Sequence, residues 1–131
     1  MTLTYIEPTA LDTVRILLYG APGSGKTTGA LSAPGPILVI NADRPTATVA
    51  ARRHHPDAVI REVKFAGKET LRDVMLHIKD GSDVRTVILD TMTEAYRGLL
   101  REISGDAARP SQQNYGDAQV VLDRFVAYMR D

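Results

Sequence analysis

The chain contains no cysteine and no tryptophan, and its aromatic residues are five Tyr and two Phe. Without cysteine there can be no disulfide and no thiolate metal site, and redox usage says nothing about compartment. Charge of one sign is also missing: 16 basic and 16 acidic residues give a formal net charge of zero. That excludes a strongly basic, non-specific nucleic-acid binder while leaving a local basic patch open. No apolar run approaches the roughly 20 residues of a membrane helix. The start, Met1-Thr2-Leu3-Thr4-Tyr5, has neither the basic region nor the apolar stretch of a signal peptide. The expectation is a cytoplasmic protein with no membrane contact. Internal repeats and low-complexity tracts are absent too. What is present is 131 residues, 44% of them hydrophobic, enough for one domain with a sizeable core.

The most informative stretch is 14–28. Val14, Ile16, Leu17 and Leu18 lead into Gly20, and residues 20–27 fit G-x-x-x-x-G-K-[ST] at every fixed position. The pattern predicts a strand, a phosphate loop and a helix start. Gly20, Gly23 and Gly25 are expected to take positive φ and bring backbone N–H groups close to an anion. Gly20, Ala21, Pro22, Gly23, Ser24, Gly25, Lys26, Thr27 and Thr28 form the candidate nucleotide site. Lys26 supplies a cation for the β- and γ-phosphates of ATP, the Thr27 hydroxyl suits Mg²⁺, and the helix start turns its positive dipole end to the same place. The plain alternative is a Gly/Pro turn with a chance lysine, and the completeness of the motif argues against it.

Along the rest of the chain, strands alternate with helices. Residues 1–12, with Pro8, form a lead-in across the surface. Strands are expected at 14–19, 36–41, 58–65 and 86–90, and the more polar 58–65 belongs near a sheet edge. Helices are expected at 25–32, 46–54, from a capping-box variant at Thr70 to a stop at Gly81, at 93–103 and at 117–130. Gly29 weakens the first helix, where a small residue would permit close packing on the sheet. Leu71, Val74, Met75 and Ile78 share one helical face, as do Ala118, Val121, Leu122, Phe125 and Met129. Residues 105–116 read as a polar loop. The class is α/β with a mostly parallel sheet, one P-loop NTPase domain over 1–131.

Two acids end apolar strands. Asp90 follows Val87-Ile88-Leu89, where a carboxylate on the ligand-binding rim can join Thr27 in holding Mg²⁺. An aspartate there is otherwise a turn or cap residue. Asp43 follows the strand at 36–41 and is the candidate to orient an attacking water; its bland reading is an N-cap before Pro45. Glu94, four positions past Asp90, is the rival base. Arg44, Arg52 and Arg53 are candidate phosphate or partner contacts, more simply solvated charges. His54, His55 and His77 are too scattered for a metal site, and His54-His55-Pro56 reads as a helix end. Thr91 is a minor candidate to sense the γ-phosphate. Arg109, Gln112, Gln113, Asn114 and Tyr115 make a polar stretch able to contact single-stranded DNA by stacking and hydrogen bonding, or a plain surface loop.

The succession of residues 18–28, Val39-Ile-Asn-Ala-Asp43, Val87-Ile-Leu-Asp-Thr91 and Asn114-Tyr-Gly-Asp117 resembles phage-encoded RecA-like P-loop ATPases, the phage nucleotide-binding proteins. The resemblance covers nearly the whole chain. It implies a RecA-like three-layer sandwich, ATP and Mg²⁺ as ligands, and work in phage DNA recombination or single-strand annealing in the host cytoplasm. It places the catalytic base on Asp43, where RecA itself has glutamate, and the Walker B acid on Asp90. Such domains continue into a further strand between the phosphate-loop and Walker B strands, whereas this chain stops at Asp131. The expectation is therefore that the C-terminal strands are missing, and that the chain self-associates or takes a partner segment. Two other readings stand beside it: a nucleotide- or partner-binding module without turnover, and a small-molecule kinase whose phosphate-loop and Walker B strands would pair directly.

Overall fold

The computed structural model describes residues 2, 4, 15–21, 23–43, 45–105 and 109–129. Val14, Pro22 and Arg44 lie outside the described residues, as do all of the lead-in 1–12 but residues 2 and 4, residues 106–108 of the expected polar loop, and the end of the last-helix expectation.

A three-stranded, all-parallel sheet organises the domain. Its strands are Ile37–Asn41 (β1), Ile60–Lys64 (β2) and Thr86–Asp90 (β3), in the order β2-β1-β3. Ile37 stands opposite Ile60 on one side and Thr86 on the other, and the register runs unbroken to Asn41, opposite Lys64 and Asp90. All five β1 residues are buried, because both edges are paired and both faces covered. Alternation along β1 splits the core in two. Leu38 and Ile40 face Leu71, Val74, Leu99, Ala118, Leu122 and Phe125. Ile37 and Val39 face Leu31 and Ala51 on the opposite side. These contacts give helix, sheet and helix layers. Lys68–Lys79 (α3), Met92–Ser104 (α4) and Gln112–Tyr128 (α5) cover one face, and Lys26–Ala30 (α1) and Pro45–Arg52 (α2) cover the other. The fold is α/β, as expected, with β2 at the edge and β3 over the residues read from sequence.

The strand expected at 14–19 is not formed. Residues 15–20 carry no strand, and Ile16, Leu17, Leu18 and Tyr19 are 77%, 71%, 49% and 89% exposed. An apolar run becomes a strand only where another strand takes its hydrogen bonds, and among the described residues nothing pairs the outer edge of β3.

Smaller corrections follow from local geometry. The α1 helix is shorter than expected, since its last turn tightens: Ser32 N–H donates to Gly29 O and Ala33 N–H to Ala30 O. A Cβ at Gly29 would meet nothing within 4 Å, so this glycine serves no close packing. α3 starts two residues before Thr70, with Gly67 at its N-cap; Thr70 Oγ1 accepts from Ala66 N–H instead of capping. Gly81, at φ 91°, follows its end. α5 begins inside the expected polar loop, because Ser111 and Asn114 exchange two hydrogen bonds as a capping box.

Candidate functional site

The loop is built by two left-handed glycines and one tight approach. Gly23 and Gly25 sit at φ 79° and 90°. Gly20 does not take positive φ; a Cβ there would lie 3.0 Å from Ser24 Oγ, a close approach that the serine side chain would have to turn away from. Gly25 occupies the N-cap of α1 and accepts from Gly29 N–H at 2.8 Å. The Lys26 ammonium turns back over the loop and donates to the carbonyls of Gly20 and of Ala21, the latter at 3.2 Å. A cation that crosses its own loop is held near the place where an anion would sit.

The next residue ties the loop to the sheet. Thr27 Oγ1 donates to Asp90 Oδ2 at 2.8 Å, in a partly buried setting. Asp90 closes β3 on the C-terminal rim, where parallel sheets receive ligands. One hydroxyl and one carboxylate oxygen, hard donors on a shared side of the loop, fit the chemistry of Mg²⁺. The Asp90–Thr91 peptide bond is cis. Thr91 is the N-cap of α4 and accepts from Glu94 N–H at 3.2 Å. The spacing Thr91-x-x-Glu94 carries half a capping box, a signal that would have moved the expected helix start.

Asp43 leaves the sheet on the same rim. Asn41 and Asp90 are register partners, and Ala42 N–H donates to Asp90 O at 2.6 Å, so β1 and β3 stay side by side one residue further. Asp43 is exposed, and its N–H donates to Asn41 Oδ1 at 2.8 Å. Glu94 is ion-paired with Arg97 at 2.7 Å on the surface of α4. A cleft of about 320 Å³ joins Ala42 to Phe65, Gly67, Glu94 and Arg101 on this rim. A larger one, about 580 Å³, is lined by Leu31, Pro36 and His55 and opens beside the starting end of β1, away from the loop.

The remaining candidates are dispersed. Arg52 donates to Ile60 O at 3.3 Å and lies 3.8 Å from Glu62, beside β2. The ring Nε2 of His55 meets Thr28 O at 2.8 Å; a carbonyl only accepts, so that nitrogen carries the proton. This contact binds the turn after α2 to the loop helix. Among the described residues no three His, Asp or Glu side chains gather as a metal site. Gln112, Gln113, Asn114 and Tyr115, expected in the polar loop, form the first turn of α5 instead. Among the described residues no helix is long and apolar enough to cross a membrane.

A family model described as an AAA domain matches residues 12–130. No curated protein and no solved structure matches the chain.

Proposed function

The chain belongs to the AAA domain family of P-loop ATPases, and on that premise we propose that it binds ATP with Mg²⁺ at residues 20–28 and hydrolyses it, as a RecA-like ATPase of phage DNA recombination or single-strand annealing. The hydrogen bond from Thr27 to Asp90 carries the reading. It puts a hydroxyl of the phosphate loop and the carboxylate closing β3 on one spot, as nucleotide-bound metal requires. The RecA-like choice rests on the motifs, and the direct pairing of phosphate-loop and Walker B strands that a kinase order needs is not formed among the described residues, since 15–20 carry no strand beside β3. The role in recombination or annealing rests on the resemblance of the motifs.

Thr27 and Asp90 would hold Mg²⁺, which supplies charge neutralisation on the transferring phosphoryl group. Lys26 would exchange the carbonyls of Gly20 and Ala21 for phosphate oxygens, with backbone N–H groups of the loop around the same anion. Asp43 orients a water for in-line attack and takes its proton as the bond between the γ-phosphorus and the ADP oxygen breaks. Glu94 stays the rival base, its carboxylate 2.7 Å from Arg97 in an exposed ion pair.

Phosphate release, measured with and without single-stranded DNA, tests the reading. Asp43→Asn should leave Mg·ATP binding near wild type and lower turnover by roughly 10²-fold, the scale of a lost general base. Loss in Glu94→Gln with activity kept in Asp43→Asn would move the base to Glu94. Tight Mg·ATP binding without phosphate release would mean a binding module. ADP formation that needs an added acceptor would mean a small-molecule kinase.

A further inference from the structure

Asn41 is a buried polar side chain in an otherwise aliphatic strand, 6% exposed after Ile37, Leu38, Val39 and Ile40. An amide in such a place costs free energy unless its groups are bonded. Both ends of this one are. Asn41 Oδ1 accepts from Asp43 N–H at 2.8 Å, and Asn41 Nδ2 donates to Glu62 Oε1 on β2. The partners settle which end is which, because a backbone N–H only donates and a carboxylate only accepts. The backbone on either side is held as well: Phe65 N–H donates to Asn41 O, and Ala42 N–H to Asp90 O. Glu62 is itself placed beside Arg52, 3.8 Å away.

A valine here would extend the aliphatic run. The amide instead stops the strand and turns it, because the bond from Asp43 N–H back to the side chain two residues earlier closes an Asx turn. That turn sets the direction in which Asp43 leaves the rim shared with Asp90. We infer that Asn41 is a positioning residue: its amide, oriented by Glu62, fixes the backbone of Asp43 so that the Asp43 carboxylate is presented to the nucleotide site. The inference rests on Asp43 acting as the base, and it adds what holds that base in place.

The test uses four variants of the full chain, Asn41→Ala, Asn41→Asp, the double variant Asn41→Asp with Glu62→Gln, and Asp43→Asn. Two readouts apply to each: the exchange rate of the Asp43 amide by NMR, and kcat for ATP beside the Kd of Mg·ATP. Asn41→Ala should speed exchange at Asp43 and lower kcat by about tenfold, the effect of a misplaced group. Its Kd should stay within about twofold, since ground-state binding is untouched. Asn41→Asp sets two carboxylates face to face and should behave alike. The double variant reverses the donor and acceptor between positions 41 and 62 while keeping the acceptor for Asp43 N–H. It should restore slow exchange and bring kcat to within about threefold of wild type, a coupling that independent sites do not show. It also guards against Asn41→Ala failing to fold.

Unchanged exchange at Asp43 in folded Asn41→Ala or Asn41→Asp, or no recovery in the double variant, overturns the inference. An active Asp43→Asn sinks the base, and the exchange rates then decide the relay by themselves.

Discussion

Thr27 and Asp90 stand 63 residues apart in the chain, yet Thr27 Oγ1 donates to Asp90 Oδ2 at 2.8 Å. The bond joins the start of α1 to the end of β3. In the Mg²⁺ site proposed above, it would hold the two oxygen donors together before a ligand arrives, so little reorganisation would be needed on binding.

Asp90→Asn tests that pairing. The amide oxygen can still accept from Thr27, so the fold should persist, but the negative charge facing a divalent cation is gone. The gain in ATP affinity on adding Mg²⁺ should shrink by about tenfold, near 1.4 kcal/mol. Calorimetric titration with and without EDTA reads it, and an undiminished magnesium effect removes Asp90 from the metal site.

Lys26→Ala tests the loop. The ammonium makes charge-assisted hydrogen bonds, each worth roughly 1.5–3 kcal/mol. ATP affinity should fall by about tenfold or more, with the far-ultraviolet circular dichroism spectrum unchanged. An ATP titration equal to wild type would reject the phosphate-loop assignment.

Gly29→Ala should stabilise the protein. Gly29 sits inside α1, and an added methyl group meets nothing within 4 Å. Alanine there should add about 0.5–1 kcal/mol through helix propensity. A urea midpoint at or below that of wild type would show that the glycine is needed for something beyond the helix.

The outer edge of β3 and the exposed residues 16–19 should drive association with a second copy of the chain. Light scattering over a concentration series should show a mass rising above 14.3 kDa. Replacing Leu17 and Tyr19 by serine should lower that mass at each concentration. A constant monomer mass in the wild type contradicts the expectation.

The sequence by itself determined the features whose causes are local. The glycine spacing and Lys26-Thr27 specify a phosphate loop because turn geometry and the positions of its donors are set within nine residues. Periodicity placed α3, α4 and most of α5, and β3 lies over the residues its apolar run marked, because side-chain period is read along one stretch of chain. Helix starts were misplaced where a cap decided them: Ser111 and Asn114 start α5 ahead of the first clear apolar position.

Tertiary structure alone decided what each apolar run became. Leu38-Val39-Ile40 and Val87-Ile88-Leu89 look equivalent in sequence, yet β1 is wholly buried and β3 only half-buried at all five positions. The similar run at 16–18 forms no strand. The difference is pairing: β1 has two neighbours, β3 has one, and residues 15–20 have none among the described residues. Hydrogen bonds between strands join residues far apart in the chain, so no window of sequence contains them. The same holds for Asn41, which reads as the end of a strand until Glu62 on β2 and the N–H of Asp43 are seen on either side of its amide.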